Sequence, residues 1–127
     1  MLNIKTDERT TLTANIMSEL DSWGLTADEL IKILQLPTGI PKRALRKYRE
    51  NTSFPVTAEL DNRLDHLVGI INALRTSYPH NRNMGPFWMK QTNKRFENKS
   101  PVAYLKAEGL TGLITIRKHL DCSYIPD

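Results

Sequence analysis

Apolar residues recur at helical spacing along most of the chain. Between Leu12 and Trp23 they stand four, four and three residues apart, the spacing that places side chains on one face of a helix. This pattern predicts a helix over residues 11–23 that ends at Gly24. Apolar and polar residues nowhere alternate for more than a few positions, so no strand is predicted. The fold class indicated is all-α.

Two short helices and an intervening turn are predicted next. Thr26 and Glu29 match a capping box at the start of the first short helix, which stops at Pro37. Because Pro41 is tolerated in the first turn of a helix, the second short helix is predicted over residues 41–49. The amphipathic helix and the two short helices after it follow one another as in a helix-turn-helix domain. In such a domain the second helix of the motif enters the major groove of DNA.

The longest predicted helix covers residues 57–78. Its apolar positions alternate at spacings of four and three and form a heptad seam of Leu60, Leu64, Leu67, Ile71, Leu74 and Tyr78. Such a seam serves either a dimer or the core of the chain's own fold. Val68, Ile70 and Ala73 widen the apolar face, which favours the core.

The C-terminal part contains shorter elements. Residues 79–86 are rich in His, Asn, Arg and Gly and are the best candidate for a boundary between two halves. A short turn is predicted near residues 87–91, followed by helices over residues 100–108 and 111–120. The tail, residues 121–127, is short and partly apolar, and either reaches into a partner's cleft or frays.

Charge is unevenly distributed along the chain. The net charge is +4, yet the nine residues 41–49 hold five basic side chains and no acidic one. This concentration predicts contact with phosphate, although a solvated basic face is the alternative. Arg43 and Arg46 lie one helical turn apart and are candidates for base contacts. Lys42, Lys47 and Arg49 are better suited to contacts with phosphates. The predicted DNA-binding residues are Lys42, Arg43, Arg46, Lys47 and Arg49.

Several classes of function find little support in the sequence. The single Cys122 excludes an internal disulfide framework, and no apolar run approaches the roughly 18–20 residues of a membrane span. The first residues lack the layout of a signal peptide, so a cytoplasmic protein without membrane contact is expected. No glycine-rich phosphate loop is present.

Catalytic and metal-binding residue sets are also missing from the sequence. His66, His80 and His119 are far apart and have no Cys or carboxylate at metal-ligand spacing. Asp61 and Asp65 share a face of the long predicted helix, a spacing more typical of solvated surface than of an acid–base pair. We therefore expect no enzymatic activity, no metal and no cofactor.

The order of motifs in the C-terminal part resembles a known family. Phe87-Trp88-Met89 precedes Asn93, then a Ser100-Pro101 helix start, and finally Gly109 before the last helix. This order resembles the toxin-binding domain of Xre/MbcA/ParS-type antitoxins. In addition, Ala44-Leu-Arg-Lys-Tyr-Arg49 looks like the end of an Xre-type recognition helix. Those repressors usually carry a glycine where Leu34-Gln35-Leu36-Pro37 stands in this chain.

The resemblance implies a type II antitoxin. It would occlude a RES-type toxin, which depletes NAD or ADP-ribosylates a target, and would repress its own operon by binding operator DNA as a homodimer. The implied parts are a helix-turn-helix region (1–56), a connecting or dimerisation helix (57–79) and a toxin-binding domain (80–127). The candidate toxin-binding residues are aromatic anchors and a basic rim: Phe87, Trp88, Phe96, Lys90, Lys94 and Arg95.

The candidate toxin-binding residues differ in whether they are expected to be exposed or buried. An exposed aromatic side chain within a ring of basic ones is a plausible protein hot spot. Trp88 is as well explained by a place in the core, whereas Phe96 and Arg95, in a polar loop, are expected to be exposed. The rival function is a free-standing transcriptional regulator whose C-terminal half only dimerises. A second rival is an interaction module whose basic helix does not bind DNA.

Overall fold

The computed structural model of the chain describes residues 6–37 and 39–123, and the side chains of residues 8–37 and 39–121 among them. The described residues form seven α-helices and one 3-10 turn, and no strand occurs in them, which confirms the all-α fold class. In chain order the elements are α1 (Thr6–Ser22), α2 (Ala27–Leu34), α3 (Arg43–Glu50), α4 (Ala58–Ser77), α5 (Met84–Lys90), the 3-10 turn (Lys94–Phe96), α6 (Pro101–Glu108) and α7 (Leu110–Ser123).

The chain divides into two compact units within the long helix α4, between Asp65 and His66. We call residues 1–65 unit 1 and residues 66–127 unit 2. The division does not fall in residues 79–86, the segment that the sequence pattern favoured. Residues 1–56, 57–79 and 80–127 stay a predicted functional division.

In unit 1, α3 packs against α1. Ile16, Leu20 and Trp23 of the predicted α1 stripe are buried, and Leu12 at its start is half-buried. Leu45 of α3 is buried. Tyr48 is buried too, with its ring 5.1 Å from that of Phe54. Thr38, in the predicted turn before α3, lies outside the described residues.

Both ends of α2 are fixed by hydrogen bonds. At its start the predicted capping box is present, with Thr26 N donating to Glu29 Oε1 at 2.8 Å and Glu29 N donating to Thr26 Oγ1 at 3.2 Å. At its end Gln35 adopts a left-handed conformation with φ of 56°, the conformation that glycine usually supplies. Gln35 thus adopts this conformation without being a glycine, at a cost of about 1 kcal/mol.

Unit 2 contains α5, the 3-10 turn, α6, α7 and most of α4. The short turn predicted near residues 87–91 is wrong, because α5 is a helix that begins at Met84. Pro86 is compatible with it, since the first N–H groups of a helix have no partner within the helix. Gly85 is buried against α4, where an added Cβ would make an ordinary van der Waals contact with the Leu74 Cβ at 3.5 Å.

The last two helices of unit 2 follow the predicted pattern. The Ser100 side chain accepts a hydrogen bond from Ala103 N at the start of α6, and Gly109 ends that helix with φ of 59°. The helix α7 then packs against α6 through its inward stripe of Leu113, Ile116 and Leu120. Residues 124–127 of the tail lie outside the described residues.

The heptad seam of α4 is largely buried within the chain. Five of its six positions have exposures of 6% or less, and the sixth, Tyr78, is half-buried. This burial agrees with a core role, so a second copy would have to use another surface. No helix in residues 6–37 and 39–123 is long and apolar enough to cross a membrane.

Candidate DNA-binding and partner-binding surfaces

The helix α3 turns its apolar side chains inward and its basic side chains outward. At about 100° per residue, Arg43 and Lys47 lie opposite the buried Leu45 and Tyr48. Both cations and Arg46 beside them are exposed. We call Arg43, Arg46 and Lys47 the basic face of α3. The sequence prediction of an outward cationic surface on this helix agrees with the observed burial.

The cations of α3 differ in how firmly they are paired. Arg46 Nε donates to Glu50 Oε1 at 2.9 Å, and the two side chains are 81% and 57% exposed. Exposed pairs of this kind contribute about 0.3–0.5 kcal/mol, so a stronger anionic ligand can displace Glu50. Lys42 Nζ lies 3.8 Å from Asp28 Oδ2, also in solvent. Within the described residues Arg43 and Lys47 have no ion-pair or hydrogen-bond partner.

Arg49 occupies a different position from the other cations of α3. Its Nε and Nη2 donate to the two carboxylate oxygens of Asp21 on α1, at 2.8 and 2.9 Å. The hydrogen bond to Asp21 raises the pKa of the Arg49 guanidinium. Arg49, predicted from the sequence to contact phosphate, therefore joins α3 to α1 in this structure. A two-point bond of this geometry holds the orientation of α3.

The loop after α3 is fixed by a buried network that the sequence did not predict. Arg9 on α1 donates to the carbonyl oxygens of Phe54 and Pro55 and to Asp61 Oδ1, the last at 2.7 Å. Phe54 N also donates to Thr13 Oγ1 at 3.0 Å. We call these residues the Arg9 network: Arg9, Thr13, Phe54, Pro55 and Asp61.

The Arg9 network shows that the expected exposure of Asp61 is wrong, and it helps to position α3. Asp61 was expected to lie in solvent, but it is buried because Arg9 neutralises it. Since Phe54 packs against Tyr48 of α3, the network also positions the end of that helix.

In unit 2 two of the three candidate aromatic anchors, Trp88 and Phe96, belong to an aromatic cluster centred on Phe96. Its ring centre lies 6.1 Å from that of Trp88, 5.4 Å from Tyr104 and 5.3 Å from His119. Phe96 is only 1% exposed, so the prediction that it lies on the surface is wrong. The polar residues around it suggested exposure, but the 3-10 turn directs the ring inward.

Trp88 is half-buried and stacks on an imidazole. The rings of Trp88 and His119 lie 5.9 Å apart with an interplanar angle of 12°. Burial, together with the positive charge of Arg95, lowers the pKa of His119. The sequence did not reveal His119 as a member of this cluster, because 31 residues separate it from Trp88.

The remaining toxin-binding candidates are exposed. Phe87 on α5 is 54% exposed, and Lys90, Lys94 and Arg95 are exposed as well. Val56 in unit 1 is the other large apolar side chain found exposed among the described residues, at 76%. Phe87 is therefore the aromatic anchor that a partner could contact directly.

The described residues offer no obvious reactive centre. No three of the His, Cys, Asp and Glu side chains in them lie together as metal ligands would. No protein-family model matches the chain, and a search of curated proteins finds no match either. The functional argument therefore depends on the two surfaces and on the resemblance seen in the sequence.

Proposed function

We propose that the chain is an antitoxin of a type II toxin–antitoxin system. In this proposal unit 2 binds and occludes a RES-type toxin, which degrades NAD or ADP-ribosylates a target. Unit 1 binds operator DNA through α3 and represses the operon, acting as a homodimer.

The observation that carries the proposal is the pairing of two surfaces in one chain. The basic face of α3 points into solvent, which DNA binding requires. In unit 2, Phe87 exposes a large apolar ring, and the exposed Lys90 and Arg95 follow it in the chain. An exposed aromatic side chain with cations around it has the composition of a protein hot spot.

The charges of α3 suggest how each cation would act on DNA. Arg43 and Lys47, which have no partner in the described residues, can reach DNA without breaking a bond, Arg43 at a base edge and Lys47 at a phosphate. Arg46 can leave Glu50 at little cost and donate in a bidentate manner to a guanine edge. Arg49 would instead preserve the orientation of α3 through Asp21.

The unit 2 surface suggests the nature of the protein partner. Phe87 would fill an apolar pocket, while Lys90, Lys94 and Arg95 would face acidic groups around it. Docking at the mouth of a toxin's cleft would block substrate entry without any chemistry by the antitoxin.

The toxin part of the proposal is tested by capture and growth. The tagged chain is purified from its native host, and each co-purifying protein is expressed alone and together with the chain. The proposal expects a stoichiometric partner that arrests growth alone and is harmless in the presence of the chain. A chain that captures no such protein would contradict it.

The DNA part is tested on the operator region. We expect Arg43→Ala combined with Lys47→Ala to reduce affinity at least tenfold and to weaken its salt dependence. The control is Lys32→Ala combined with Arg82→Ala, which removes the same charge from exposed positions outside α3. Equal affinities for the two double variants would show that α3 is not the DNA-binding element.

One observation favours the rival regulator. Phe96 is buried and Trp88 half-buried, so two of the three aromatic candidates take part in the fold of unit 2. A regulator whose C-terminal half only dimerises would need no toxin-binding anchor, and Phe87 would contact a second copy. Under that function Phe87→Ala would weaken self-association measured by analytical ultracentrifugation, whereas under the antitoxin proposal it would weaken toxin binding.

A further inference from the structure

We infer that unit 2 carries a second DNA-binding surface, which contacts the phosphates of duplex DNA through the cations of residues 90–99. The inference goes beyond the proposed function, which assigns DNA binding to α3 alone and gives Lys90, Lys94 and Arg95 to the toxin. These side chains would contact DNA in the chain that has no toxin bound. We call the four side chains Lys90, Lys94, Arg95 and Lys99 the unit 2 cations. All four are exposed, and none has an ion-pair partner within the described residues.

The backbone holds most of these cations in a defined turn. Asn93 N donates to Lys99 O at 3.1 Å and so closes the segment between them. The Asn93 side chain accepts from Arg95 N at 3.0 Å, which caps the 3-10 turn. Phe96, buried at the centre of the aromatic cluster, anchors the same turn from below. Because the backbone is fixed, binding a phosphate there orders only the side chains.

The distribution of charge between the units favours a polyanion as the ligand. Unit 1 holds nine basic and ten acidic residues, so it is slightly negative despite the basic face of α3. Unit 2 holds nine basic and four acidic residues and provides the positive charge of the whole chain. Unit 2 therefore contributes the larger share of the long-range attraction of DNA.

The local composition also favours phosphate. Glu97 is the only acidic residue among residues 90–99, so the segment has a net charge of +3. Lysine and arginine side chains of this kind bind the DNA backbone without sequence preference. Each phosphate contact adds about 0.9 to the slope of log affinity against log salt concentration, so the contribution of the unit 2 cations can be measured.

The experiment measures binding of the full chain to a fluorescent duplex by anisotropy at several salt concentrations. The test variant is Lys94→Ala with Lys99→Ala, and the control is Arg82→Ala with Lys118→Ala. Both variants remove two exposed positive charges from unit 2 and so have the same net charge. Arg43→Ala with Lys47→Ala, on α3, is measured in parallel. Circular dichroism verifies that each variant is folded.

The inference predicts that the test variant loses affinity about tenfold or more relative to the control, and that its salt slope falls by about 1.8. Equal affinity and slope for test and control would overturn it. If the α3 variant weakens binding and the test variant does not, the inference fails while the proposed role of α3 survives. If the test variant loses only its ability to protect cells from the captured toxin, these cations serve a protein partner and the inference is wrong.

Discussion

Replacing Asp61 by asparagine removes the negative charge at the centre of the Arg9 network. The side chains of Arg9 and Asp61 are only 6% and 10% exposed, and their atoms lie 2.7 Å apart. Loss of one partner of a buried pair costs about 3–5 kcal/mol, because the remaining charge is buried without compensation. Arg9 keeps the carbonyl oxygens of Phe54 and Pro55 as acceptors, so we expect a value near the lower end, about 3 kcal/mol.

The assay is urea unfolding followed by circular dichroism at neutral pH, with a thermal melt in parallel. A loss of about 3 kcal/mol should lower the melting temperature by roughly 10 °C in a chain of this size. The matched control is Glu50→Gln, the same change from carboxylate to amide in the exposed pair with Arg46. It should cost about 0.5 kcal/mol or less. If Asp61→Asn and Glu50→Gln destabilise equally, the Arg9 network does not hold unit 1 together.

Three further predictions concern buried or crowded groups. Trp23→Phe should change the free energy of unfolding by less than about 1 kcal/mol, because the buried Nε1 has no acceptor among the described residues and its removal offsets the smaller ring. Gly69→Ala should be stabilising by about 1 kcal/mol only in an Arg117→Ala background, since the added Cβ would lie 2.4 Å from Arg117 Nε. The pKa of His119 is lowered in the folded state, so stability should fall as the pH drops through 6.5 towards that lower pKa. His119→Gln should abolish this fall in stability at low pH, whereas the His80→Gln variant should still show it.

All three predictions are tested by comparing the urea unfolding midpoints of the variants with that of the wild-type chain. A loss of several kcal/mol in Trp23→Phe would show that Nε1 has an acceptor in solution. Stabilisation by Gly69→Ala in the wild-type background would show that the Arg117 side chain gives way freely. Equal pH profiles for the wild-type chain and His119→Gln, measured between pH 8 and pH 5, would contradict the burial of a neutral imidazole against Trp88.

Local signals in the sequence predicted most of the helices. The capping box at Thr26, the glycines at 24 and 109, and the Ser100 start each determine a helix end within a few residues. The inward stripes of α4 and α7 were also predictable, because helical periodicity depends on residues close in the chain. The start of α5 was missed, since Gly85 and Pro86 usually mark a connector.

Contacts between residues far apart in the chain limited how well the burial of the site residues could be predicted. Asp61 is buried because Arg9 lies beside it, yet 52 residues separate the two in the chain. Likewise, Phe96 has polar neighbours in sequence but aromatic neighbours in space, so its burial depends on α5, α6 and α7. Exposed residues such as Arg43 and Lys47 were predicted better, because an amphipathic helix determines which side faces solvent.

Growth rescue tests the central claim of toxin docking at Phe87 most directly. Cells express the captured toxic partner together with the wild-type chain, Phe87→Ala or Val56→Ala, the last removing an exposed apolar side chain from unit 1. Loss of a hot-spot ring costs about 2 kcal/mol or more, which is roughly 30-fold in affinity. The account predicts that Phe87→Ala, present at wild-type levels, fails to restore growth while Val56→Ala restores it fully. Full rescue by Phe87→Ala would contradict the account.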